Sequence, residues 1–118
     1  MTIKTSSCKA KSRNLQNFVA GVLRITFPSL HETDFAPAIM GESGTDIKLS
    51  HAARQIFPWA VECKNQEHIN IWKSWNQTEM NGLKEKLKPL LIFKRNRSEV
   101  LAVMKFSDFV MLVQEVKK

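Results

Sequence analysis

WAVECKN, residues 59–65, is the stretch on which the fold of this chain turns. Successive side chains of a strand point to opposite faces, so Val61 and Cys63 share one side and Glu62 and Lys64 the other. The first pair belongs on a core. An acid and an amine on the opposite face of the same strand are costly to bury unless something keeps them company. Upstream, TDIKLS at residues 45–50 alternates in the same way, with Ile47 and Leu49 on one side and Asp46 and Lys48 on the other. If the two strands pair as neighbours, Asp46 stands across from Glu62.

Helical patterns surround these strands. Leu15, Phe18, Val19, Val22 and Leu23 recur at the spacing of one buried stripe, with Ser12 as the expected cap and Pro28 closing the helix near Thr26. Residues 28–44, PSLHETDFAPAIMGESG, read as a connector. A helical turn capped by Ser50 is expected in SHAARQIFP. A helix is expected over residues 67–81 with Ile69, Trp72, Trp75 and Met80 on its stripe, Trp72 buried, and Gly82 breaking it. PLLIFKRNRSEVLAVMKF, residues 89–106, predicts a hairpin turning near Asn96 and Arg97, and Ser107 caps a last helix carrying Phe109, Val110, Leu112, Val113 and Val116. The expected fold class is α/β, a mixed sheet flanked by helices in the order α-β-β-α-β-β-α. Residues 1–11, with Lys4, Lys9 and Lys11, read as a flexible basic arm, and residues 12–118 as a single domain.

Charge narrows the class of partner. The 118 residues carry 18 Lys and Arg against 11 Asp and Glu, a net charge of +7. That balance suits a polyanion, nucleic acid before an acidic membrane surface. Lys94, Arg95 and Arg97 form the densest basic cluster beyond the first residues, and Lys9, Lys11 and Arg13 precede the first helical stripe. Both groups are candidates for phosphate contact; solubility of a sheet end is the competing role for the first. No run approaches the roughly 20 apolar residues of a membrane span, and no h-region follows the first lysines, so a cytoplasmic protein without a membrane is expected. Cys8 and Cys63 are the only cysteines, too few for a zinc site and not expected to pair; burial of Cys63 argues against a nucleophile. His31, His51 and His68 are too scattered for a metal site, and surface or capping roles are expected. Trp72 and Trp75 could stack on unpaired bases, although helical spacing favours the core.

Asp46 and Glu62, converging beside backbone carbonyls, would form an oxygen-rich site suited to Mg²⁺ or Mn²⁺. Such a cation polarises a phosphoryl oxygen and acidifies water, and Lys64 would orient the nucleophile or offset growing negative charge. The bland reading of Glu-x-Lys alone is a solvated sheet face.

GTDI followed by VECK resembles the PD-(D/E)XK nuclease signature, with Thr45-Asp46 as its first element and Glu62-Cys63-Lys64 as its second. FPWAVECKNQEHINIWKSWNQ and PLLIFKRNRSE resemble small phage-encoded endonucleases of that superfamily, related to the archaeal Holliday junction resolvases. The resemblance spans about Lys9 to Val116. It implies a restriction-endonuclease-like fold and Mg²⁺-dependent cleavage of DNA, most suitably branched DNA, by a homodimer in a bacterial or phage-infected cell. It implies metal binding by Asp46, Glu62 and the Cys63 backbone carbonyl, with Lys64 as the catalytic lysine and Gln77 near the site. Where relatives offer a glutamate from the first helix, the nearest equivalent is Gln16; Glu42 is a candidate replacement carboxylate. A less selective nuclease that nicks or trims duplex DNA and a silent DNA-binding module of the same fold are the alternatives.

Overall fold

The structure, a computed structural model, describes residues 5–39 and 41–117. Lys4 of the expected arm lies outside the described residues. Helix α1 runs Thr5–Thr26, so its start lies well before Ser12, which becomes an interior residue instead of a cap. Residues 5–11 extend the helix, and a tertiary tether helps explain why: the Asn65 side-chain amide donates to the Lys11 carbonyl at 3.1 Å. The buried side of α1 is Leu15, Gln16, Val19, Ala20 and Leu23, while Phe18 and Val22 are exposed. Ala20, with no side chain beyond Cβ, lets the helix lie close to the sheet, which turns Phe18 and Val22 outward.

The expected connector contains structure of its own. A 3₁₀ turn at Glu32–Asp34, capped by the His31 side chain, leads into β1 (Phe35–Pro37). This strand pairs antiparallel with β2 (Ile47–Leu49). Three residues without alternation, ending in Pro37, leave too little pattern for a strand to be read from sequence. Helix α2 (His51–Ile56) follows with Ser50 as its cap. Phe27, Phe35 and Phe57 gather with ring centroids 5.8 to 6.3 Å apart and seal this end of the core.

Strand β3 (Trp59–Asn65) pairs with β4 (Lys88–Lys94) in parallel, and β4 pairs with β5 (Leu101–Val103) antiparallel through the expected hairpin. The expected ladder between residues 46–49 and 59–65 is therefore absent. The chain instead builds a two-stranded and a three-stranded sheet, bridged where the Asp46 N–H donates to the Val61 carbonyl at 2.9 Å. The chain gains β1 and the 3₁₀ turn over the expectation, α2 being the helical turn expected after Ser50, and the architecture is the α/β mixed-sheet arrangement of a restriction-endonuclease-like fold.

Helix α3 (Ile71–Glu85) makes the parallel crossover between β3 and β4. Its cap is Asn70, so it starts later than residue 67. Ser74, Trp75, Thr78 and Gly82 are its buried side, and Trp72 is 76% exposed. Ser74, Thr78 and Gly82 recur every four residues, and this line of small side chains draws the helix onto the sheet. Gly82 does not break the helix. A Cβ there would come 2.8 Å from the Leu87 carbonyl oxygen, so only glycine fits under the turn into β4. Val61 and Cys63 join Leu15, Val19 and Leu23 of α1 in the main core. The other face of β3, with Glu62, turns toward α3. Helix α4 (Phe106–Lys117) ends the chain, with Ser107 inside its first turn and not one residue buried.

Candidate active site

Asp46 stands at the junction of the two sheets, and the backbone holds it from three directions. Its N–H donates to Val61, its carbonyl accepts from Ala38 at 2.7 Å, and its Oδ2 accepts from the Cys63 N–H at 2.7 Å. This crosslink explains how Asp46 meets Glu62 without a ladder: one carboxylate caps the strand that carries the other. Thr45 beside it is buried and donates its hydroxyl to the Ile47 carbonyl.

Glu62 is only 4% exposed. Its Oε2 accepts from the Asn81 side chain at 3.2 Å, and its Oε1 lies 3.9 Å from Lys64 Nζ. Burial raises its pKa to about 7, Asp46 adds to the rise, and Lys64 and the Asn81 hydrogen bond offset part of it. Burial likewise raises the Asp46 carboxyl, against the Cys63 amide and the lysines Lys64 and Lys48. Buried Glu62 and half-buried Asp46 both have raised pKa values, which marks a site short of positive charge. Burial, then Asp46 and Glu62, push the Cys63 thiol far above its ordinary range, which makes it inert as a nucleophile.

Asp46, Glu62, Cys63 and Lys64 line one open cavity of about 190 Å³ together with Gln16, Glu42 and Gln66. Gln16 is 6% exposed, and its Oε1 makes no hydrogen bond among the described residues. A buried amide oxygen without a donor is costly, and a cation at the cavity would satisfy it. Among the described residues no group of three or more His, Cys, Asp or Glu is placed to hold a metal ion, so a cation here needs oxygen from outside that set. Two carboxylates, the Gln16 amide oxygen and a backbone carbonyl fit a hard divalent ion that keeps several waters.

The remaining candidates divide. Glu42 lines the cavity but is already engaged: Oε1 accepts from the Ile39 N–H at 3.0 Å and Oε2 lies 3.5 Å from Lys48. Gln77 is exposed on α3 and does not line the cavity. Asn81, one turn further on, is the residue of that helix that reaches Glu62, and sequence reasoning missed it. The i, i+4 spacing from Gln77 was the available signal.

Basic residues flank the cavity on two sides. On α1, Lys9, Ser12, Arg13 and Gln16 follow helical spacing along one flank, and Ser12 and Gln16 line the cavity; Lys9 and Arg13 are exposed and Lys11 half-buried. Because β3 and β4 run in parallel, Asn65 is in register with Lys94, and Gln66 donates its N–H to the Lys94 carbonyl at 3.1 Å. The turn carrying Arg95 and Arg97 therefore leaves the sheet at the end where Lys64 stands. The Glu67 carboxylate fixes that turn by accepting the Asn96 N–H at 2.7 Å.

Residues 33–118 match the family model described as "Phage putative PDDEXK endonuclease". No curated protein and no solved structure matches the chain.

Proposed function

This chain belongs to the phage PD-(D/E)XK endonuclease family, and we propose that it hydrolyses DNA phosphodiesters with Mg²⁺ at the cavity formed by Asp46, Glu62 and Lys64. The observation that carries the proposal is the convergence of two carboxylates with raised pKa values, a lysine and the unsatisfied Gln16 oxygen on one cavity. Bound there, Mg²⁺ or Mn²⁺ would polarise the scissile phosphate and acidify water. Asp46 and Glu62 would hold the ion, with the Cys63 carbonyl and Gln16 as further oxygen donors. Lys64, half-buried and 3.9 Å from Glu62, offers its ammonium to the phosphate or the attacking water, where it offsets charge that grows in the transition state. Asn81 keeps one Glu62 oxygen turned aside, so the other faces Lys64.

Arg95, Arg97 and Lys94 from the β4–β5 turn, and Lys9, Lys11 and Arg13 from α1, would track the phosphate backbone on either side of the cavity. Such contacts set affinity and register and carry no sequence information. Branched DNA of the Holliday junction kind is the preferred substrate in this reading, supported by the resemblance of residues 57–77 and 89–99 to small phage-encoded endonucleases related to the archaeal Holliday junction resolvases. A homodimer would supply the two active sites that paired nicks require. The retained Asp46, Glu62 and Lys64 argue against a silent DNA-binding module.

The test compares a four-way junction, a flap, a linear duplex and a single strand, each with and without Mg²⁺. Paired nicks in the junction only when Mg²⁺ is present are expected. Equal cleavage of linear duplex would replace the branched substrate with the less selective one. Cleavage of no substrate in Mg²⁺ or Mn²⁺ would remove the catalytic reading.

A further inference from the structure

Among the described residues, helix α4 buries none of its own, and only Asp108 in its first turn is partly covered. Phe109, Val110, Met111, Leu112 and Val113 are five apolar residues in succession, each between 39% and 51% exposed. Five successive residues cover more than a full turn, so no side of the helix is buried. Phe106 and Val116 flank them and are more exposed still. A 12-residue helix is marginal by itself in water, so one this apolar needs a partner.

The same chain carries an apolar hollow next to the root of this helix. Trp72, Trp75, Val103 and Met104 line a groove of about 270 Å³ between α3 and the end of β5. Met104 and Lys105 alone join β5 to α4, and Lys105 is drawn to Glu79 of α3 at 3.7 Å. As α4 departs from this link it leaves the groove open: no residue of α4 lines it. Beside the groove, β5 is the edge of its sheet, and Leu101 is half-exposed there.

We infer that this face is an interface between two copies of the chain, in which α4 of each protomer covers the groove beside Trp72 in the other. Helix and groove lie on one chain and do not meet within it, which is the self-complementary arrangement a two-fold dimer requires. The seven apolar α4 residues expose area comparable to the ~800 Å² that each partner gives to a stable interface, and the groove takes the side of the helix that faces it. Charge disfavours a membrane as the occupant. Surface-seeking helices are rich in Lys and Arg, whereas α4 carries Asp108 and Glu115 against Lys117. The inference concerns mass and contact only, so it stands or falls separately from the chemistry at Asp46 and Glu62.

Sedimentation equilibrium in the micromolar range, without DNA or metal, reads it directly. The wild-type chain should sediment at about twice its 13.6 kDa mass. Phe109→Lys with Val113→Lys should return it to one chain mass with the rest of the chain still folded, because no residue of α4 is buried within its own chain. Trp72→Lys should weaken the dimer at least tenfold, and Ile25→Lys, on the exposed side of α1, should leave it intact. A monomeric wild type, a dimer that survives the α4 double substitution, or one indifferent to Trp72→Lys would overturn the interface. A monomer that instead floats with phosphatidylcholine–phosphatidylglycerol vesicles would assign the face to a membrane and overturn it equally.

Discussion

Asn81 and Glu62 are 19 residues apart in the chain and joined by a 3.2 Å hydrogen bond from the amide to the carboxylate. The same amide lies 3.4 Å from the Gly44 carbonyl, so one side chain of α3 touches both the loop before Asp46 and the strand that carries Glu62. In the proposed reaction it is a positioning residue. Its donation also favours the ionised carboxylate, against the burial that raises the Glu62 pKa.

Asn81→Ala should therefore lower cleavage by about 10- to 100-fold, the usual cost of losing such a supporting partner. Loss of the donor raises the Glu62 pKa further, so the acid limb of the pH–rate profile should move to higher pH. A purely structural role for Asn81 would reduce the rate without moving that limb.

Asp46→Asn, Glu62→Gln and Lys64→Ala should each reduce cleavage by about 100-fold or more while leaving DNA affinity nearly unchanged. Binding measured by fluorescence anisotropy in Ca²⁺, beside turnover in Mg²⁺, separates the two. Full activity of Glu62→Gln in Mg²⁺ would remove Glu62 from the site.

Without metal, the protein should lose stability as pH rises. Glu62 has a folded pKa of about 7 against an ordinary 4.5, so between those values the folded state binds more protons than the unfolded one. Its contribution is fully present below about pH 4.5 and lost as pH rises through 7, a change on the order of 3 kcal/mol. Asp46 acts in the same direction. Chemical denaturation at pH 5 and pH 8 should show the fall, Glu62→Gln should flatten it, and Mg²⁺ should restore stability at pH 8.

Gln16 should behave as a metal-facing group. Gln16→Leu removes an unsatisfied buried oxygen, so the metal-free protein should become more stable while Mg²⁺ binding weakens by about tenfold. Gln16→Glu should tighten Mg²⁺ and destabilise the metal-free form at pH 8 by adding a third carboxylate. Calorimetric titration of Mg²⁺ into each variant checks both directions, and equal affinities in all three would exclude Gln16 from the site.

DNA binding should weaken steeply with salt. Arg95→Ala and Arg97→Ala should each lower the salt slope by roughly one unit if each side chain meets a phosphate. Unchanged slopes in both would leave the turn with its solubility role.

Local pattern carried much of this protein. Alternation in WAVECKN and TDIKLS, the hairpin turning at Asn96 and Arg97, the Ser50 cap and the Glu-x-Lys pair are properties of a few adjacent residues, and each is legible because strand and helix periods are set by backbone geometry alone. The α/β class followed from these, and, together with the resemblance to the PD-(D/E)XK signature, so did the candidacy of Asp46, Glu62 and Lys64. Tertiary structure decided the rest. Which side of α1 is buried depends on how closely Ala20 approaches the sheet, not on the spacing of Phe18 and Val22. Asn81 rather than Gln77 reaches Glu62 because Ser74, Thr78 and Gly82 fix the rotation of α3 against β4. Asp46 meets Glu62 through the Cys63 amide instead of a ladder, because β2 takes β1 as its partner. Periodicity says which residues share a face, but only the packing of one face on another determines what that face meets.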